Sequence, residues 1–295
     1  MLSPVHRHGL WWGLLGVVAF SFTVPLTRIA VAGLPPLFLG SGRAVVAAAL
    51  AGLALAATRQ RRPRGTQWAR LAVVGGGVVV GFPLLTSYAL TTAPAAHGAV
   101  VIAVLPAATA VVVVLRGHER PPRVFWVAAG LGAVAALAFA SAQWGGLGQL
   151  HRADLLLFGA VLAAAVGYAE GGLVARELGA WQTVSWALVI WSPLMVGLTL
   201  LAALRQPPEG TPAQWAAFGY LGVVSMYLGF FAWYRGLAIG PMAQVSQVQL
   251  VQPVLTIGWA GLLLGERLGP ATVLGALVVV LCAGTAVRVR QRAPG

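Results

Sequence analysis

Residues 241–267 read PMAQVSQVQLVQPVLTIGWAGLLLGER, and this stretch decides how the rest of the sequence is interpreted. It is long enough to cross a bilayer as a helix, and its second half is almost wholly apolar. It also contains four glutamines, a proline near its middle and a closing Gly-Glu-Arg. The stretch therefore combines the composition of a membrane helix with polar groups that are costly in lipid.

An earlier stretch, residues 94–120 (PAAHGAVVIAVLPAATAVVVVLRGHER), follows the same pattern. Its opening proline, central proline and Glu-Arg pair each lie 147 residues before their counterparts, in a chain of 295 residues. This offset predicts two repeats, residues 1–147 with helices 1–5 and residues 148–295 with helices 6–10. The second repeat ends in a basic tail at 288–295.

The composition indicates a polytopic helical membrane protein. The chain is 59% hydrophobic and 8% charged, with a mean hydropathy of +0.86, whereas soluble domains are about 25% charged. We predict an all-α integral membrane fold with ten transmembrane helices. They lie near residues 10–31, 36–57, 69–90, 95–115, 124–142, 154–176, 181–203, 214–235, 241–264 and 270–288. One cysteine excludes a disulfide within the chain, and we predict no metal or cofactor.

The arginines predict the orientation of these ten spans. All 19 basic residues are arginines, and we interpret the charge of +13 as cytoplasmic loops rather than nucleic-acid binding. With the N-terminus inside, fourteen arginines face the cytoplasm and four face outward. Both termini are then cytoplasmic, in the cytoplasmic membrane. Because each repeat has five spans, the second repeat must cross the membrane in the inverted orientation, as in inverted-repeat transporters.

Glu170, in the sixth span, is the most unusual intramembrane group. Flanking glycines at 167, 171 and 172 would allow close helix approach. One interpretation is a cavity carboxylate that binds a cation or takes up a proton. The other is a structural ion pair near the headgroups, with Arg176 as the partner.

Arg43 and two tyrosines have similar double interpretations. Arg43 lies within the second span, where it would either extend to the outer interface or bind an anion or a gating carboxylate. Tyr88 and Tyr234 end the third and eighth spans and could be interfacial anchors or gates.

The ninth span is more polar than its counterpart in the first repeat. His97 and Gln244 occupy the same repeat position, whereas Gln249 and Gln252 replace apolar residues. With Gln247, these glutamines would either form a hydrogen-bonding wall of a substrate cavity or make amide bonds between helices. Pro106 and Pro253 interrupt the fourth and ninth spans near their middles and predict matched kinks. Kinked helices at the midplane are common at transporter sites.

These residues carry a resemblance to a known family. Gln249, Gln252-Pro253 and Gly265-Glu266-Arg267 are similar to the Q-x-x-Q-P and G-E-R motifs of EamA-type transporters in the drug/metabolite transporter superfamily. Arg28 and the run from Pro35 to Arg43 also resemble that family, whereas Phe20-Ser21 and His118 depart from it. The resemblance implies two inverted five-helix repeats around a central cavity, and transport by alternating access.

We therefore predict a secondary transporter that exports small metabolites, amino acids or drugs. The sequence leaves open whether a proton or another cation is coupled to transport. The alternatives are an uncoupled channel or facilitator and an uptake permease for a small polar solute. An intramembrane enzyme is the remote alternative, because no catalytic constellation is visible, and the absence of a Walker lysine argues against ATP-driven transport. The predicted partners are the small-molecule substrate and the lipid bilayer, and not nucleic acid. The sequence leaves a monomer and a homodimer equally open.

Overall fold

A computed structural model describes residues 4–117, 123–135 apart from 125, 129 and 133, 151–239, 245 and 248–292. All regular structure in these residues is helical, and seven of their helical spans are long and apolar enough to cross a membrane. The spans are His8–Ala30, Pro36–Ala57, Gln67–Ala89, Ala95–Arg116, Arg152–Leu178, Ala180–Arg205 and Pro212–Ile239, with shorter apolar helices at Gln249–Leu264 and Pro270–Cys282. The predicted all-helical membrane fold is confirmed.

We name these spans first to fourth and sixth to tenth, in the order of the sequence prediction. The predicted fifth span falls largely outside the described residues, as does the predicted repeat boundary at residues 147 and 148. The individual helices are Pro4–Ser21, Thr23–Ala30, Pro36–Ala57, Gln67–Gly75, Phe82–Ala89, Ala95–Ile102, Leu105–Gly117, Arg152–Leu178, Ala180–Arg205, Pro212–Tyr220, Gly229–Ile239, Gln252–Leu264 and Pro270–Arg292.

Departures from α-helix recur at the repeat offset of 147. A π-helical segment at Gly76–Gly81 interrupts the third span, and another at Leu221–Leu228 interrupts the eighth. The fourth span breaks after Ile102, and the ninth has a 3₁₀ turn at Gln249–Val251. After each of these last two breaks, a proline is the second residue of the next helical segment, where its missing amide hydrogen costs no hydrogen bond. The fourth and ninth spans are thus interrupted at matched positions, where the sequence predicts kinks.

Hydrogen bonds at the ends of the spans show that the second half is inverted. Arg28, at the end of the first span, donates to the carbonyls of Leu90 and Thr91 at the end of the third. His97, at the start of the fourth span, lies against Asp154 at the start of the sixth. The third span ends and the fourth span begins on the same side of the membrane. The first span therefore ends on the side where the sixth span begins. The two halves therefore enter the membrane from opposite sides.

We call the side with the loop at residues 58–66 the basic side, after Arg59, Arg61, Arg62 and Arg64, and the other the opposite side. Between them the helices pack across the two halves. The first span packs on the eighth, the third on the sixth, the second on the seventh and the fourth on the ninth. The repeat partners are the first and sixth spans, the second and seventh, the third and eighth, and the fourth and ninth. Exchanging each span with its repeat partner gives the same set of packed pairs, as a two-fold relation between the halves requires.

Close packing of the third and sixth spans depends on small residues. A Cβ atom added to Gly77 would lie 2.3 Å from the Ala163 carbonyl oxygen and 3.0 Å from the Gly167 Cα. No side chain larger than hydrogen fits such a contact without displacing a helix. Apolar side chains cover the outer surfaces of the spans, among them Leu53, Leu162, Leu204 and Leu262. Lipid is the solvent that such a surface needs.

Candidate functional site

A cavity lies in the centre of the bundle, between the two halves. The space between its lining atoms, including the part that is open to solvent, is about 460 Å³. We call Thr23, Arg43, Ser225 and Gln252 its polar wall, and its aromatic lining residues are Phe20, Phe82, Tyr168 and Phe230. The rings of Phe20 and Phe230 lie 4.9 Å apart between centroids, and those of Tyr168 and Phe230 lie 5.8 Å apart. The cavity thus offers both polar groups and a cluster of aromatic rings.

Arg43 belongs to the polar wall of this cavity. Its side chain is 1% exposed, so the alternative in which it extends to the outer interface is wrong. Its Nη2 donates to the Thr86 hydroxyl at 3.2 Å, and Thr86 in turn donates to the Phe82 carbonyl at 2.6 Å. The Arg43 Nε–H has no hydrogen-bond partner within the part of the chain that the structure describes. A buried guanidinium with a donor to spare therefore faces the cavity.

A second space, about 270 Å³ between atoms including the part open to solvent, shares lining residues with the first at the breaks in the fourth and ninth spans. Gln252 lines both spaces, while Gln249, Pro106 and Pro253 line the second. Gln249 Nε2 and Gln252 Oε1 are buried without a partner among the described residues. The structure thus places two of the predicted glutamines beside the cavity.

Pro253 cannot donate to the Gln249 carbonyl four residues earlier, but this carbonyl is still hydrogen-bonded within the ninth span. That carbonyl accepts the Gln252 amide in the 3₁₀ turn. Two other predicted glutamines, Gln244 and Gln247, lie outside the described residues.

The first span has a break of its own at Phe22, next to the cavity. Pro25 cannot donate to the Ser21 carbonyl, four residues earlier. The Thr256 hydroxyl of the ninth span donates to that carbonyl instead, at 2.9 Å, and Trp259 Nε1 donates to the Ser21 hydroxyl at 3.0 Å. The sixth span, its repeat partner, runs unbroken from Arg152 to Leu178. The two halves therefore differ at the cavity wall.

An ionic cluster lies at the basic side of the bundle, and Glu170 is its centre. Glu170 is 4% exposed, and its carboxylate accepts from Arg70 of the third span and Arg116 of the fourth. The Arg116 Nη2 lies 2.6 Å from Glu170 Oε2. Arg70 also binds Glu177, and Gln67 donates to Glu177 at 3.4 Å. We call these five residues the basic-side cluster.

Glu170 therefore does not line the central cavity. Its partners are two arginines of the first half, and not the predicted Arg176. The partners escaped sequence analysis because Arg70 and Arg116 look like ordinary positive charges at the ends of spans.

A different polar cluster lies at the opposite side. His97 Nε2 and Asp154 Oδ1 lie 2.6 Å apart, with side chains 3% and 0% exposed. The Glu266 carboxylate accepts the amides of Ala95 at 2.7 Å and Ala96 at 2.8 Å. A carboxylate at the start of a helix is stabilised by unpaired amides and by the helix dipole. We call His97, Asp154 and Glu266 the opposite-side cluster.

Sequence analysis missed Asp154 and assigned no contact to Glu266. Asp154 lies in the first turn of the sixth span, where its second oxygen accepts the His151 amide at 3.0 Å. It therefore looks like a routine helix-capping residue. Only its contact with His97 distinguishes it.

The two predicted tyrosines lie away from the cavity wall. Tyr88 is 42% exposed at the end of the third span, as an interfacial anchor would be. Tyr234 is fully buried, and its hydroxyl donates to the Gly167 carbonyl at 3.2 Å. It packs the eighth span against the sixth, and its hydroxyl fills the space beside Gly171.

A bundle of apolar spans in two inverted halves, with a partly polar cavity between two polar clusters, is the architecture expected of a multi-pass membrane transporter. The chain belongs to the EamA-like transporter family, whose model matches residues 7–141 and again 151–287. It is a transporter and not an enzyme. The resemblance drawn from Gln252-Pro253 and Gly265-Glu266-Arg267 is thereby confirmed.

Two curated proteins and one solved structure are similar over nearly the whole chain. The chain is 42% identical over 284 residues to "Uncharacterized transporter YdeK" of Bacillus subtilis, covering 94% of this chain and 96% of that protein. It is 25% identical over 270 residues to a "Probable terminal-alkyne amino-acid exporter" of Streptantibioticus cattleyicolor, covering 90% and 89%. A crystal structure with 18% identity has a TM-score of 0.67, covering 97% of this chain and 99% of that one, and shares the fold.

Proposed function

We propose that this chain is a secondary transporter that exports small amphipathic metabolites through the central cavity by alternating access. The observation that carries the proposal is the position of this cavity between the basic-side and opposite-side clusters. Each cluster joins spans from the two halves through polar contacts that can be broken. Opening one cluster while the other stays closed would expose the cavity to one side at a time.

The matched interruptions support this mechanism. π-helical segments and helix breaks weaken the hydrogen bonding of a span locally and are frequent at functional sites. Here they lie in the third, fourth, eighth and ninth spans, at the same repeat positions, beside the cavity. The first and second five-helix repeats, residues 1–147 and 148–295, would be the two bodies that move.

Export from the cytoplasm is the direction we propose, with both termini cytoplasmic in the cell membrane. The excess of arginine on the basic side supports that orientation. The name of one relative, a probable amino-acid exporter, supports outward movement of a small metabolite.

The His97–Asp154 pair is our candidate for proton coupling. An imidazole and a carboxylate in buried contact can share or release a proton, and that change would alter the strength of the closure. Glu170 is a weaker candidate for this role because two guanidinium groups neutralise it. An uncoupled facilitator is the competing function.

Flux in sealed inside-out vesicles tests the proposal. Purified protein is reconstituted, and the uptake of labelled amino acids and other small metabolites is measured with and without an imposed proton gradient. We expect saturable uptake that rises with the gradient. Saturable flux that ignores the gradient would favour a facilitator, and the absence of flux for the whole panel would contradict transport of this solute class.

A further inference from the structure

The central cavity contains a buried positive charge without a counter-charge. Arg43 is 1% exposed, and its hydrogen-bonded partner in the structure is the neutral Thr86 hydroxyl. Its Nε–H is unpaired within the described ranges. Burying an ion without a partner of opposite charge is expensive, so buried charges are normally paired. Arg43 is therefore a site that an anion would stabilise.

The described carboxylates of this chain are all positioned elsewhere. Asp154 contacts His97, and Glu170 and Glu177 bind the arginines of the basic-side cluster. Glu266 caps the fourth span, and Glu209 is exposed in the loop after the seventh. The sixth acidic residue of the chain, Glu119, lies outside the described residues. Among the described residues, no acid is left to neutralise Arg43.

We propose that Arg43 binds the carboxylate of the transported solute, an inference that rests on the proposed function. A guanidinium with a free N–H forms strong charge-assisted hydrogen bonds with carboxylates. One unpaired guanidinium matches one negative charge. A phosphate dianion would leave a second charge buried and uncompensated, so the cavity fits a carboxylate better.

The remaining wall defines the rest of the solute. Phe20, Tyr168 and Phe230 form one aromatic surface, which suits an apolar body. The unpaired Gln252 Oε1 can accept a hydrogen bond from an ammonium or amide group. The substrate class is thus small amphipathic carboxylic acids, including amino acids with apolar side chains.

Equilibrium binding to the full chain in nanodiscs tests this assignment without requiring transport. The probes are labelled 3-phenylpropionate, L-phenylalanine, phenethylamine and phenyl phosphate, which share an aromatic body and differ in the charged group. The unsubstituted protein should bind the two carboxylates and should bind phenethylamine at least about tenfold more weakly. This comparison needs no variant and does not depend on whether a substituted protein folds.

Variants then locate the carboxylate site. Arg43→Gln should weaken carboxylate binding by at least about tenfold, whereas Arg43→Lys should keep part of it. Arg205→Gln is the matched control, since Arg205 is an exposed arginine at the end of the seventh span. It should bind the carboxylates as the unsubstituted protein does.

Equal binding of phenethylamine and 3-phenylpropionate, unchanged carboxylate binding by Arg43→Gln, or no binding of either carboxylate would overturn the proposal. Stronger binding of phenyl phosphate than of both carboxylates would also overturn it, in favour of a phosphate site. Flux of cationic or uncharged solutes in vesicles would leave the proposed transport standing while removing the role of Arg43. Failure of the two ideas is therefore distinguishable.

Discussion

The Arg116 guanidinium lies 2.6 Å from the Glu170 carboxylate, and this ion pair joins the end of the fourth span to the sixth. The contact connects the two halves of the chain on the basic side. On the opposite side, the His97 imidazole and the Asp154 carboxylate make the corresponding connection between the same two spans. The fourth and sixth spans are therefore held together at both ends by contacts of different chemistry.

Glu170→Gln should reduce flux by about tenfold or more, because it leaves the guanidinium groups of Arg70 and Arg116 facing a neutral amide. Vesicle flux measures the effect. Glu170→Asp keeps the charge and should restore part of the rate, while Glu209→Gln, in an exposed loop, should have none. Full activity of Glu170→Gln would remove the basic-side cluster from the mechanism.

Asp154→Asn and His97→Gln should each abolish the dependence of flux on the proton gradient, because each removes one member of the buried pair. The double variant should be no more impaired than the worse single variant, since residues that act as a unit are not additive. Flux measured over a range of gradients checks this. Additive losses, or an intact gradient dependence in either single variant, would show that the pair does not couple.

Thr256→Val should destabilise the protein by about 1–3 kcal/mol, because it leaves the buried Ser21 carbonyl without a donor. Thermal unfolding in detergent measures the loss. Adding Pro25→Ala to Thr256→Val supplies a backbone amide that can donate to the Ser21 carbonyl, and it should recover stability. Thr285→Val, which removes an exposed hydroxyl bonded to its own helix, is the control. Equal losses in Thr256→Val and Thr285→Val would disprove this role of Thr256.

Gly77→Ala should lower the melting temperature strongly, since the new methyl group would lie 2.3 Å from the Ala163 carbonyl oxygen. Relieving such a contact in a packed core costs about 1–3 kcal/mol. Gly52→Ala makes the same substitution where no atom lies within 4 Å, and should be neutral or slightly stabilising. Similar melting temperatures for the two variants would argue against close packing of the third and sixth spans.

Much of the fold was predictable because membrane spans are specified locally. Apolar length defines each span, and the offset between Pro106 and Pro253 indicates the repeat and the matched breaks of the fourth and ninth spans. The matched π-helical segments of the third and eighth spans have no such signal in the sequence. The odd number of spans per repeat then requires inversion. None of these inferences depends on which helices are in contact with each other.

The site was less predictable because it depends on contacts between distant residues. Glu170 meets Arg70 and Arg116, which are 100 and 54 positions away in the chain. The position of Glu170 inside a span indicates that its charge needs a partner. It does not indicate which of the 19 arginines supplies that partner. The position of Arg43 shows the same limit. The sequence places Arg43 inside the second span, but most residues that line the cavity beside it come from other spans.

The accessibility of one cysteine in the cavity wall tests the central claim most directly. Ser225 lines the cavity, and Cys282 is the chain's one native cysteine, so Ser225→Cys with Cys282→Ser gives a single reporter thiol. A membrane-impermeant maleimide is applied to either side of sealed vesicles. Adding Glu170→Gln should raise labelling from the basic side alone, and adding Asp154→Asn should raise it from the opposite side alone. Unchanged labelling in both variants, or a rise on the same side in both, would contradict alternating access between these two clusters.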